Sequence, residues 1–367
     1  MITEDPVILV SGRFFSNASM VAPVCRLEGV EEVDPKRFLA NLTRPGTDLL
    51  GGGGWFGVIA YDDCARAALE GRPDDPIVFQ SSKIWRVRRV SPYTSWQAAA
   101  GIARDVSSGA WPRPRLEPED SLSVYLEAAK SAIEQIHAGR FYQINLLRRY
   151  RITGLIESAQ ILGRLDEIMP PMGIWVECDK FRIASFSPER FVTINDSGHP
   201  FEKRSVIETW PIKGTVPRSR DPLEDKRLAD ALTTSVKNLA ELHMIVDLMR
   251  NDLQRICERG SVNVPVPHHL RSFSHVHHLE GEVRGTLKPD VTWAEFFRCL
   301  LPAGSITGAP KIEVMRAIRE LEGQGRGHFM GCAFWASDSG WFQSSVLIRT
   351  LVSTGLDPSS GSDWKFA

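Results

Sequence analysis

The sequence predicts an α+β protein, or a complex α/β one, built on antiparallel sheets. Three observations carry that prediction. Segments alternating at period two recur along the chain, as in "RFYQINLLRRYRI" and "RIASFSPERFVTI", a pattern of strands with one face buried. Two stretches run at helical period, 122–137 and 221–256. Hairpin-like neighbours and helices are mixed in order, which disfavours a doubly wound parallel sheet.

Taken in order, residues 1 to about 106 read as short strands and turns with one or two helices. Within them "GGGGWFGVIAYD" (51–62) is a glycine-rich turn entering an apolar strand, with no phosphate-binding helix expected after it, so its glycines serve turns and packing. The three prolines of "SSGAWPRPRLEPED" (107–120) mark the best boundary in the chain, dividing an N-terminal portion, 1–115, from a larger C-terminal portion, 118–367. A helix from Leu122 to His137 follows, with Leu122, Tyr125, Leu126, Ala129, Ile133 and Ile136 on one face and Gly139 ending it. In the next strand Tyr142, Ile144 and Leu146 share one face and Gln143, Asn145 and Leu147 the other.

The 221–256 region carries a stripe of Val236, Leu239, Leu242, Val246, Met249 and Leu253, and a second apolar face of Met244, Ile245 and Leu248. A helix apolar on two sides is buried, so Glu241 beside that second face is expected to be a buried carboxylate with a cation or proton partner. "RSFSHVHHLEGEVRGTL" (271–287) reads as one strand, "PAGSITGAPKIEVMRAIRELEG" as a turn feeding a helix on Ile312, Met315, Ile318 and Leu321, and "WFQSSVLIRTLV" as one strand. "LDPSSGSD" is a hairpin turn into a return strand at "WKFA", where the chain is expected to be cut short.

Composition limits the function. Apolar residues are 43%, enough for a sizeable core, and Lys+Arg (44) balances Asp+Glu (45). That balance argues against nucleic-acid and membrane-surface partners, which need a basic excess. No run is long enough for a membrane helix. Six scattered cysteines with no CxxC pair fit reduced, buried thiols, and the acidic N-terminus lacks a signal-peptide core, so the expected compartment is the cytoplasm. His275 and His277 share a strand face that His278 does not, so a three-histidine zinc site is not expected.

Lys213 in "TWPIKGTVPR" lies in a proline-flanked turn whose order, K-G-T, is not that of a phosphate-binding loop. "FYQINL", "SFSPERF", "PIKGT", "AELHMIVDLMRNDL", "VHHL", "AGSITGAPK" and "IRT" occur in that order over roughly 140–350. Together they resemble the chorismate-utilising enzymes. The resemblance implies an α/β sandwich with outer helices, holding chorismate and Mg²⁺ between antiparallel sheets. It also implies loss of the substrate's C4 hydroxyl as a nucleophile enters at C2 or C4.

Members that add water carry a lysine base where this chain has Gln143, so the resemblance points to the ammonia-using branch. Lys213 stands where the C2-aminating members typically have alanine; as a deprotonated amine it would add to C2 and direct nitrogen to C4. The resemblance further implies Glu189 as the acid protonating the leaving hydroxyl, with a raised pKa, and His278 orienting or exchanging protons near C4. Gly214, Thr215, Ser305 and Gly308 would contact substrate, Arg349 would fork onto the enolpyruvyl carboxylate, and Glu241 would bind Mg²⁺. Ammonia would come from a glutamine amidotransferase subunit on another chain. The implied product is 4-amino-4-deoxychorismate, on the way to p-aminobenzoate and folate; the alternatives are anthranilate as product and a non-catalytic relative. Asn238 where a glutamate is common, Phe329 where a tyrosine is common, and Glu280 within "HLEG" depart from the pattern. So does the expected absence of a C-terminal glutamate-bearing segment: if 367 residues are the whole polypeptide, poor or no catalysis is expected, and if they are part of a longer one, the parent is expected to be active.

Overall fold

The computed structural model describes residues 6–11, 14–15, 24–34, 53–70, 80–101, 115–153, 156–178, 181–196, 205–338, 341–354 and 364–366. Among these, a nine-stranded and a ten-stranded antiparallel sheet pack face to face with helices outside them. This is the expected α+β sandwich.

Period two sorts the side chains into layers. In Val7–Ser11, Ile8 and Val10 enter the core between the sheets with Phe56, Val58, Ile174 and Val176. Leu9 turns to the opposite face and joins Trp175, Ala184 and Trp364, where the helix Ser158–Ile168 adds Ile161, Leu162 and Leu165. On the outer face of the second sheet, Phe334 and Phe342 pack with Leu242, Met249 and Leu253 of the helix Val236–Ile256 and with Phe296 and Phe297 of the helix Trp293–Leu300. Each fully buried side chain of this size contributes roughly 1.5–3 kcal/mol relative to exposure.

The N-terminal third supplies strands to both sheets: Val7–Ser11 pairs with Met172–Cys178, and Gly54–Ile59 with Cys332–Ser337. The proline-rich boundary falls largely outside the described residues, as does the turn expected at "LDPSSGSD"; the return strand is present as Trp364–Phe366, paired with Thr350–Ser353. The six cysteines are free thiols, five of them buried. No helix among the described residues is long and apolar enough to cross a membrane.

Several expected single strands are divided. Residues 182–194 form Phe181–Ser187 in the first sheet and Arg190–Asp196 in the second. Residues 341–352 form Phe342–Val346 in the second sheet and Thr350–Ser353 in the first. Residues 271–287 are divided at 273–275, ending the strand Asn263–Ser272 and then forming its hairpin partner Val276–Thr286, and "RFYQINLLRRYRI" contributes only to the strands Gln143–Ile144 and Tyr150–Thr153. Strands such as Phe342–Val346 are buried along their whole length, and Phe181–Ser187 nearly so, so the strand pattern runs through each break and does not report the change of sheet.

Helices bring one agreement and two corrections. The helix Tyr61–Glu70 does follow the glycine-rich strand, but Asp62 and Asp63 occupy its first turn, and Asp62 accepts from the amides of Arg326 and Gly327. Two carboxylates in the first turn complement the helix dipole and disfavour a phosphate there, as expected. The glycines serve packing: a Cβ on Gly57 would lie 2.2 Å from the Phe334 ring. The apolar face of the helix Leu122–His137 is largely open, with Leu122 and Ile133 each 54% exposed, because its packing runs through Ile136 against Val314, Ala317 and Ile318 of the helix Lys311–Glu322. Val236 is also exposed, at the first position of its helix after the break at 234–235.

A buried ion pair locks the turn that leads into Lys311–Glu322. Lys311 Nζ donates to Asp252 Oδ2 (2.5 Å) and to the carbonyls of Cys299 (3.0 Å) and Leu300 (3.2 Å), at the C-terminus of Trp293–Leu300. All three ammonium protons are thereby used. Lys311→Met is expected to cost about 3–5 kcal/mol, the scale for stranding one buried partner. Lys311→Met with Asp252→Leu should recover most of it. Denaturant midpoints of the two variants test this; equal losses would contradict it.

Candidate active site

Glu189 and Arg349 each sit where the chain passes from one sheet to the other, between Phe181–Ser187 and Arg190–Asp196 and between Phe342–Val346 and Thr350–Ser353. The Glu189 amide donates to Ser187 Oγ (3.2 Å) and its carbonyl accepts from the Val346 amide (3.3 Å). Arg349 has a φ of 50°, and its carbonyl accepts from the Phe186 amide (3.1 Å). A left-handed conformation costs a non-glycine residue on the order of 1–3 kcal/mol, and such strain clusters at functional sites.

The Glu189 side chain is buried, and Ser305 Oγ donates to its Oε1 at 2.6 Å. Burial pushes the carboxyl up to about 7, assisted by Glu280 and opposed by the Ser305 hydrogen bond and the charges of Lys213 and Arg349. It therefore titrates close to neutral pH.

Lys213 owes its place to an irregularity in a strand pair. Ile212–Pro217 runs antiparallel to Val276–Thr286, with Ile212 opposite Glu280 and Thr215 opposite His278, and the register shifts between those two pairs. Gly214 in the shift has a φ of 86°, and a Cβ there would meet Leu232 Cδ1 at 3.0 Å and Asn238 Cβ at 3.2 Å, so both backbone and space call for glycine. Burial pulls the Lys213 amine below its ordinary value, while Glu189 and Glu241 pull it back. Its neutral fraction is larger than that of a solvated lysine.

Thr215 Oγ1 and His278 Nδ1 are 2.7 Å apart. Burial and the neighbouring Arg349 hold His278 down at about 4, so it is neutral at pH 7. Its Nε2 is buried with no hydrogen-bond partner among the described residues.

Gln143 belongs to a two-stranded ribbon in which it pairs with Ala309, and Ile144 with Gly308. A Cβ on Gly308 would stand 2.0 Å from the Gln143 carbonyl, which fixes glycine there. Asn145 Nδ2 donates to the carbonyls of Ser305 (3.3 Å) and Thr307 (3.0 Å), tying the ribbon to the Ser305 turn. The Gln143 Oε1 is buried without a partner among the described residues.

Thus Lys213, Gly214, Thr215, Glu189, His278, Ser305 and Arg349 fall into one cluster, with Gln143 and Gly308 on the ribbon joined to it. Glu241 differs from expectation: its side chain is 37% exposed, with Lys237 Nζ at 3.9 Å. The second apolar face of its helix is only partly covered, because Met244 and Leu248 lie at the margin of the core. No group of three His, Cys, Asp or Glu side chains among the described residues could hold a metal. Magnesium needs only one or two carboxylates beside ligand and water oxygens, and Glu241, within electrostatic reach of Lys213, fits as one such carboxylate.

Sequence reasoning passed over Glu280 as a site residue. It is buried, bound by Arg271 (2.9 Å) and His269 (3.0 Å), and acts on Glu189. Its spacing of two from His278 on a strand puts both on one face, and that was the available signal. A groove of about 900 Å³ lined by Tyr142, Asp252 and Lys311 lies apart from Lys213 and Glu189.

The chorismate binding enzyme family matches residues 31–358. Aminodeoxychorismate synthase component 1 of Escherichia coli (strain K12) is 38% identical over 229 residues, covering 62% of this chain and 49% of that protein. An anthranilate synthase component I-like protein of Synechocystis sp. is 33% identical over 328 residues, covering 82% and 65%. The chain spans about half the length of the curated aminodeoxychorismate synthase relatives it matches. The crystal structure of anthranilate synthase component I from Streptococcus pneumoniae TIGR4 superposes with a TM-score of 0.69 at 22% identity, covering 95% of this chain and 83% of that one, a likeness of fold.

Proposed function

Because the chain belongs to the chorismate binding enzyme family, we propose that it aminates chorismate at C4 to give 4-amino-4-deoxychorismate. The observation that carries this reading is a desolvated amine, Lys213, within electrostatic reach of a buried carboxyl, Glu189, that titrates near neutral pH.

In the proposed sequence the neutral Lys213 amine attacks C2 and forms a C–N bond. The ring double bonds shift, the C4–O bond breaks, and Glu189 gives its proton to the departing hydroxyl, which leaves as water. Ammonia then attacks C4, the double bonds shift back, and the lysine leaves C2 as the amine. The balance is chorismate plus ammonia to aminodeoxychorismate plus water. Neutral His278 offers its unpartnered Nε2 to the substrate near C4, and Arg349 supplies a fixed cation for a carboxylate. Gly214, Thr215 and Gly308 shape the walls of the site, and Gln143, which cannot take a proton, leaves water unactivated. Magnesium, which Glu241 would hold, would neutralise the ring carboxylate. Ammonia would be supplied by a glutamine amidotransferase partner, consistent with the component 1 name of the relatives, and the compartment is proposed to be the cytoplasm.

Incubation with chorismate, magnesium and ammonium, followed by chromatographic identification of the product, tests the reading. Aminodeoxychorismate is expected; anthranilate would overturn it.

Ser305 tunes the acid. Its hydrogen bond lowers the Glu189 carboxyl, so Ser305→Ala should raise it. Because Glu189 works protonated, the alkaline limb of the kcat/KM profile should move to higher pH by about one pH unit, given roughly 1.5–3 kcal/mol for a hydrogen bond to a charged group. A limb that stays in place or moves down would contradict this.

A further inference from the structure

Arg326 lies outside the reacting cluster, yet its guanidinium joins the two elements that frame it. The side chain is 1% exposed and forks onto Glu322, itself 4% exposed, through Nε–Oε2 (3.0 Å) and Nη2–Oε1 (2.6 Å). Its remaining reach goes to main chain: Nη2 donates to the Asn145 carbonyl (2.6 Å) and Nη1 to the Ile306 carbonyl (3.3 Å). Asn145 stands two residues from Gln143, and Ile306 follows Ser305 directly. Glu322 Oε1 also accepts from the Leu147 amide (2.9 Å), and the guanidinium lies 4.7 Å from the Tyr61 ring centroid. A planar fork can hold two carbonyls and a carboxylate in one plane at fixed spacing; an ammonium cannot.

We propose that the Arg326–Glu322 pair is a clamp that fixes the Ser305 turn against the Gln143 ribbon, making Arg326 a positioning residue for the Ser305–Glu189 hydrogen bond. The inference rests on the proposed amination only for its kinetic readout. Lys213, Arg349 and Glu280 also face Glu189. None of them receives a hydrogen bond from Arg326, so loosening the clamp acts on the carboxyl through Ser305.

The test uses Arg326→Lys, which keeps a charge opposite Glu322. The paired variant Arg326→Met with Glu322→Met, which leaves no buried charge stranded, serves if the lysine variant does not fold. In protein labelled at the glutamate carboxyl carbon, the Glu189 signal, assigned with Glu189→Gln, is followed by NMR against pH without turnover. The expected result is an upward displacement of the Glu189 titration in the same direction as in Ser305→Ala, with no further displacement when the two changes are combined. In turnover, kcat should fall by roughly tenfold to a hundredfold with KM within about twofold, the scale of a small misplacement of reacting groups. An unmoved Glu189 titration in the folded variant, or a displacement that adds to that of Ser305→Ala, would overturn the clamp. Failure of the wild-type chain to form aminodeoxychorismate would overturn the reaction and leave the clamp to be judged on the titration alone.

Discussion

Lys213→Ala is expected to end formation of 4-amino-4-deoxychorismate, with a loss on the order of 10³-fold or more, the scale for removing a covalent nucleophile. Without the amine, only direct attack by ammonia remains, and attack at C2 would divert residual turnover towards anthranilate. The variant should fold: Lys213 is held below its ordinary pKa by desolvation, so its loss removes a strained charge. Product chromatography and a melting curve on the same sample check both statements. Unchanged aminodeoxychorismate output from a folded variant would remove Lys213 from the mechanism.

Glu189→Gln is the second large effect. An amide has the shape of the acid and no proton to give, so kcat should drop by roughly 10²- to 10⁴-fold. Stability should change in the other direction. The carboxyl titrates at about 7 in the fold, against 4.5 for the free side chain, so the folded state holds the proton more tightly. The stability this provides is complete below the unfolded value and is lost as pH rises through about 7. Glutamine has no such titration, and the variant should therefore lose less stability than the parent between about pH 5 and pH 8. Denaturant unfolding at the two pH values reads this directly; parallel losses would contradict the assigned titration.

These predictions show which parts of the site are legible in sequence. Short motifs singled out Glu189, Lys213 and His278, because residue type and order are local properties, and the structure brings the three into one cluster. Their convergence is not a local property. Glu189 and Arg349 come together because two segments that read as continuous strands change sheet at 188–189 and 347–349, and alternation is blind to which sheet a strand joins. Gly214 is similar: a strand pattern runs through it, while the shifted register depends on the facing strand at His278 and Glu280. Helical periodicity located the helix at 122–137 but could not tell whether its apolar face is covered, and it placed Glu241 deeper than its 37% exposure. Arg326 escaped because its importance lies in two carbonyls, Asn145 and Ile306, that no side-chain pattern encodes.

The central claim is that Lys213 forms a bond to the ring before ammonia arrives. The most direct measurement is the intact mass of the protein mixed with chorismate and magnesium without ammonia, followed by peptide mapping. A species heavier by one chorismate less one water, mapped to Lys213 and absent in Lys213→Ala, is the predicted result. A protein that forms aminodeoxychorismate when ammonium is added, yet shows no such adduct under rapid quenching, would contradict the account.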